Sequence, residues 1–144
     1  MAERADISAC AGCLCNATRK ASRAVTSVYD RSLASHGIRI SQFTILANLE
    51  LRGDTPLGEL ARFLELDRTT LTRNLEPLEE KKWVRSRAAA KDSRSRILGV
   101  TEEGRALLFS AFPAWREAQE RVATAIRGAD LALLTQLADI PRRR

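Results

Sequence analysis

The sequence predicts a mainly α-helical single domain of 144 residues with one two-stranded β ribbon, and three observations point that way. Apolar residues recur at three- and four-residue spacing through most of the chain, the period of an amphipathic helix. Only Trp83-Val84-Arg85-Ser86-Arg87 and Arg96-Ile97-Leu98-Gly99-Val100 read as strands. Seven glycines and four prolines supply too few turns for a β-sandwich or barrel. A hydrophobic content of 44% is enough to build a real core at this length. No internal repeat and no linker divides the chain.

In chain order, residues 1 to about 11 are small and polar and are expected to fray. Leu14, Ala17, Ala21, Ala24, Val25 and Val28 then form one helical stripe, with Asn16, Arg19, Lys20, Arg23 and Arg31 largely off it. This helix should run to Leu33 or Ala34, with His36-Gly37 as its stop, since glycine is favoured just past a helix C-terminus. The small alanines suit close packing against another helix, here one from a second subunit. Ser41 is expected to cap the next helix, with Phe43, Leu46, Ala47 and Leu49 or Leu51 apolar, and Arg52-Gly53-Asp54 to turn it. A third helix would open with Thr55 as N-cap and Pro56 at its first position, where a missing N–H costs nothing.

That third helix carries Leu57, Leu60, Ala61 and Leu64. Glu65-Leu66 makes a tight turn, and Asp67 caps a fourth helix whose stripe is Leu71, Leu75 and Leu78. Its other face presents Arg68, Thr69, Thr70, Thr72, Arg73 and Asn74, side chains suited to phosphates and base edges. Arginine pairs well with guanine and asparagine with adenine, so Arg73 and Asn74 are the base-reading candidates. Pro77 falls after these residues and is expected to kink only the helix exit. The pattern is a helix-turn-helix followed by a basic hairpin, or wing. From Lys81 to Arg96 there are seven cations (Lys81, Lys82, Arg85, Arg87, Lys91, Arg94, Arg96) against Asp92 alone. That segment matches the +6 of the whole chain, so a polyanion is expected to dock at this one place. Thr101 caps a long helix with Glu102 and Glu103 favourably placed in its first turn. Ala106, Leu107, Phe109, Ala111, Phe112, Trp115 and Val122 are its apolar positions, and Pro113 is expected to bend or break it. Gly128 separates a last helix with Leu131, Leu134, Leu137 and Ala138, ending before Pro141 and the basic Arg142 to Arg144.

The run Leu57-Gly58-Glu59-Leu60-Ala61 through Leu66-Asp67-Arg68-Thr69-Thr70-Leu71-Thr72-Arg73-Asn74-Leu75 resembles the multiple-antibiotic-resistance regulator (MarR) family of bacterial repressors. Lys91-Asp92-Ser93-Arg94 matches that family's Asp-x-Arg wing. Val100-Thr101-Glu102-Glu103-Gly104 matches its Leu-Thr-x-x-Gly, with Val100 in place of leucine. The resemblance implies a homodimeric winged helix-turn-helix spanning residues 1–144. Residues 41–101 would form the DNA-binding lobe, and residues 12–36 and 102–140 the dimerisation helices. The fourth helix would enter the major groove of double-stranded DNA, and Arg94, oriented by Asp92, the adjacent minor groove; Arg87, Lys91 and Arg96 would support them. A narrow minor groove concentrates negative potential and favours an inserted arginine. Two copies would read a pseudo-palindromic operator with half-sites about one helical turn apart. Such regulators release DNA on binding an aromatic or anionic effector, or on thiol oxidation.

For an effector, Arg19, Arg23, Phe43, Phe112 and Trp115 are the candidate cations and aromatic walls. Cys10, Cys13 and Cys15 gather all three cysteines into six residues at the start of the first helix. Three readings stay open for them: a redox switch, a soft-metal thiolate site, or side chains that merely pack or dangle. An ideal helix sends Cys13 and Cys15 to nearly opposite sides. Catalysis is not expected: His36 is the sole histidine, and no Ser-His-acid set, glycine-rich phosphate loop or second Cys/His pair accompanies it. No cofactor is called for. No apolar run reaches the length of a membrane span, and Glu3, Arg4 and Asp6 occupy the place of a signal segment before Cys10, so a cytoplasmic protein is expected. A helical adaptor using the basic wing against an acidic protein is the alternative from another class.

Overall fold

A computed structural model of the chain describes residues 7–90, 95–126 and 131–139. The expectations placed on Lys91, Asp92, Arg94, Gly128 and the last basic residues lie outside them. A 3₁₀ helix over Ile7–Gly12 leads into α1 (Leu14–Leu33), and a second short one (Ala34–His36) follows it. Gly37, at φ +66°, ends this segment in the left-handed conformation that glycine adopts without strain. Then come α2 (Ile40–Arg52), β1 (Thr55–Pro56), α3 (Leu57–Phe63), α4 (Arg68–Glu80), β2 (Val84–Ala88), β3 (Arg96–Val100), α5 (Glu102–Ala125) and α6 (Leu131–Ala138).

The ribbon has three strands rather than the expected two, in the order β1-β3-β2, all antiparallel. Thr55 pairs with Leu98 and Pro56 with Ile97, so Thr55 is a buried strand residue and not the cap of α3. Its hydroxyl donates back to the Gly53 carbonyl at 2.9 Å. The two-residue strand is too short to announce itself by periodicity, and its partner lies far along the chain. Ser41 is likewise not the cap of α2. The helix starts two residues earlier than that cap would place it, at Ile40 with Arg39 as N-cap, and Asp30 Oδ1 accepts from Ile40 N (2.8 Å) and Gln42 Oε1 from Arg39 N (3.1 Å).

The core gathers around α2 and α4. Leu33, Ile45, Leu46, Leu49, Leu60, Leu71, Leu75, Leu78 and Leu98 are fully buried, each worth about 1.5–3 kcal/mol in removal from water. Leu49 is the inward residue, while Leu51 is exposed. Helix α5 runs unbroken through Pro113, whose missing N–H falls on an exposed turn beside Phe109 and Phe112. Its inward face is also shifted from the expected one: Gly104, Leu108, Ala111 and Ala118 are buried, with Leu107, Ala114 and Trp115 packed against the core. Phe109 and Phe112 face outward. Helices α1 and α5 pack together, joined by a hydrogen bond from the buried Tyr29 hydroxyl to Gln119. Before Val25 the α1 stripe is exposed, as are Leu134 and Leu137 of α6.

Candidate nucleic-acid interface

The turn before α4 is set by two local devices. Leu66 N donates to Ala61 O (2.9 Å) and Glu65 N to Arg62 O (3.2 Å), with Glu65 at φ +53°, which closes α3 in a Schellman turn. Asp67 then caps α4: Oδ1 accepts from Thr70 N at 2.8 Å and Oδ2 from the Thr70 hydroxyl at 2.6 Å. These bonds hold the Asp67 carboxyl below the usual carboxylate range. Leu71, Leu75 and Leu78 anchor the opposite face in the core.

With α4 fixed in this way, Thr69 and Arg73 are exposed on its outer face. Arg68 is exposed too, but its guanidinium folds back over Gly58 of α3, where a side chain at Gly58 would collide with it. Thr70 is engaged by Asp67, and Thr72 is half-buried. Asn74 is committed at both ends, accepting from the Ser41 hydroxyl (2.8 Å) and donating to Thr70 O (2.9 Å). Its amide therefore ties α4 to α2 here, and a base contact would require it to give up those bonds.

The wing strands carry their cations in two sets, because alternate strand residues face opposite ways. On one face Arg85 makes two hydrogen bonds to Asp54 (2.8 and 3.0 Å), with Arg87 3.6 Å from the same carboxylate. Chiefly through the Arg85 hydrogen bond, Asp54 is held below the ordinary carboxylate value. Gly99 lies beneath this pair, and a Cβ there would strike both Asp54 and Arg85. On the other face Arg96 pairs with Glu79 of α4 and donates to the Ser86 hydroxyl at 2.9 Å. Asp54 and Glu79 were not singled out from sequence. The hint for Asp54 was an acid isolated in a turn, but its partner comes 31 residues later.

Of the effector candidates, the aromatics come together: Phe43 stacks on Trp115 (5.9 Å between ring centroids) and Trp115 on Phe112 (5.5 Å). Arg23 lines a surface trough beside α2, which Arg19, Phe43, Phe112 and Trp115 do not line. The three cysteines are exposed free thiols, with Cys13 at the N-cap of α1 and Cys10 in the 3₁₀ helix before it. Among the described residues, no three Cys, His, Asp or Glu side chains are grouped to hold a metal ion.

The model of the MarR family matches residues 38–95, which contain α2 to α4, β1 and β2. The crystal structure of the M. tuberculosis transcriptional regulator MosR with DNA is 38% identical; the match covers 88% of this chain and 96% of that one, at a TM-score of 0.75. The repressor CouR bound to a 23-mer DNA duplex is 25% identical, covering 97% of this chain and all of that one, with a TM-score of 0.78. The regulator MhqR of Bacillus subtilis (strain 168) is 28% identical over 94 residues, and the chain spans 65% of its length.

Proposed function

Because the chain belongs to the MarR family of DNA-binding transcriptional regulators, we propose that it acts as a homodimeric repressor of a pseudo-palindromic operator, released by an effector or an oxidant. The observation that carries this is the division of α4: one face is locked into the core by Leu71, Leu75 and Leu78, and the other leaves Thr69 and Arg73 exposed. A rigid helix with an outward polar face is what insertion into a major groove requires. Lys91, Asp92 and Arg94 complete the interface at the wing tip, with Arg94 entering the minor groove. Arg87 approaches the backbone from the strand. Arg96 acts mainly by tying the wing to α4 through Glu79.

DNA from upstream of the protein's own gene, titrated at several salt concentrations, tests this. Arg94→Ala should weaken binding and reduce the salt slope by about one. Arg73→Ala should relax sequence preference, by about 1–3 kcal/mol at the base it reads. Arg96→Ala should change the slope less than Arg94→Ala, since its charge is already opposed by Glu79. Unchanged affinity in both Arg73→Ala and Arg94→Ala would sink the interface.

Oxidation is favoured as a trigger by the exposure of Cys10, Cys13 and Cys15 at the head of α1. Peroxide should release the wild type from its duplex and leave a triple Cys→Ser variant bound. An equal response from both proteins would remove the thiols from the mechanism.

A further inference from the structure

A trough of about 810 Å³ opens between α1, the turn that follows it and the start of α2. Four cations line it: Arg23 and Arg31 of α1, Arg39 at the N-cap of α2, and Lys81 immediately after α4. Asp30 is the one carboxylate in its wall, and its Oδ1 accepts from Ile40 N. Hydroxyls of Ser22, Thr26 and Ser27 add donors along the α1 side.

What sets these four cations apart is that they share one concavity. Arg85, Arg87, Arg96 and Arg105 each lie against a carboxylate. Arg23, Arg31, Arg39 and Lys81 form no ion pair among the described residues. Lys81 donates to the Gly37 carbonyl at 3.0 Å and rides over the Trp83 ring, both neutral partners that leave its charge in place. Cations converging on one concavity repel each other, and an anion between them reverses the sign of that interaction.

We propose that this trough binds a small polar oxyanion carrying two or more negative charges. The lining contains no aromatic side chain, so the site is chemically distinct from the Phe43–Trp115–Phe112 stack. Its Lys81 end stands apart from Arg73 on the reading face, while Arg39 lies two residues before Ser41, the partner of Asn74. Lys81 follows Arg73 by eight residues, about 12 Å along a helix axis. A bound anion would bridge α1, through Arg23 and Arg31, to the start of α2 and the end of α4, through Arg39 and Lys81. It would thereby fix the angle between the long N-terminal helix and the helix-turn-helix.

The test is a calorimetric titration of the full chain with sodium pyrophosphate at constant ionic strength. No DNA is present, so its outcome is separate from that of the operator experiment. The wild type should bind saturably. Arg31→Gln and Arg39→Gln should each weaken binding by about tenfold, the loss expected for one charge-assisted contact. Arg73→Ala should bind as the wild type does. Both glutamine substitutions are at exposed side chains, and far-UV circular dichroism verifies that the helices persist. A wild type without saturable binding overturns the proposal, as does binding that survives in the Arg31→Gln, Arg39→Gln double variant. A wild type that ignores pyrophosphate, with Arg39→Gln lowering duplex affinity and its salt slope, would overturn it by assigning the trough to the DNA backbone.

Discussion

Asp54 shows how one side chain conditions the wing. Its carboxylate takes both hydrogen bonds of Arg85 and stands near Arg87, so two cations of the basic hairpin are held against a turn at the far edge of the sheet. Its pKa is lowered in the fold, which means that the folded state binds fewer protons than the unfolded chain on acidification. The stability it contributes is therefore complete above the ordinary value near 3.8 and is lost as pH falls through the lower folded value. Asp54→Asn should lower the melting temperature at neutral pH, with the gap to wild type closing from about pH 5 downward. A gap that stays constant across that range would show that the pair contributes nothing. The effect should be modest, because the pair is solvent-exposed and screened by salt.

At the scale of elements, the wing and α5 meet at a close junction. The Thr101 hydroxyl accepts from Gly104 N at 3.0 Å and donates to Lys82 O at 2.6 Å, so it both caps α5 and stitches it to the turn before β2. Gly104 is buried there because the Trp83 backbone crosses it, and any Cβ would run into the Trp83 carbonyl. The Thr-x-x-Gly spacing thus has a steric reason besides its capping one. Gly104→Ala should cost about 1–3 kcal/mol in chemical denaturation by overpacking. Gly12→Ala, with nothing within 4 Å of the added carbon, is free of that penalty and serves as the control. Equal stability of the two variants would contradict the close approach.

Among the described residues of the whole molecule, apolar side chains stand exposed near both ends. Ile7 is 77% and Leu14 83% exposed, and Leu134 and Leu137 of α6 are 50% and 46% exposed. In the proposed homodimer these residues are the apolar surface that a second copy would cover. Leu134→Asp with Leu137→Asp should shift sedimentation toward a monomer and weaken operator binding; because the neighbouring Ala138 shares a surface hollow with Asp67, sedimentation is the deciding readout. The wild-type melting temperature should rise with protein concentration, and the variant's should not. A variant that sediments as the wild type does would place the interface elsewhere.

The amphipathic spacing of α2 and α4, the Asp67 and Thr101 caps and the Gly37 stop were all legible in the residues. Each is decided within one or two helical turns, where partners are three or four positions apart. The polar face of α4 and the ribbon's strands were legible for the same reason. Only tertiary structure decided that Thr55 belongs to a strand, since its partner Leu98 is remote in sequence. The same holds for Arg96 turning to Glu79, for Asn74 being held by Ser41, and for Leu108 rather than Phe109 facing inward on α5. The cationic trough, too, exists only because the fold brings residues of α1, α2 and the end of α4 around one space. Local hydrogen bonding and periodicity made α4 and its exposed polar face; long-range packing chose which of its neighbours' charges are paired and which are left open.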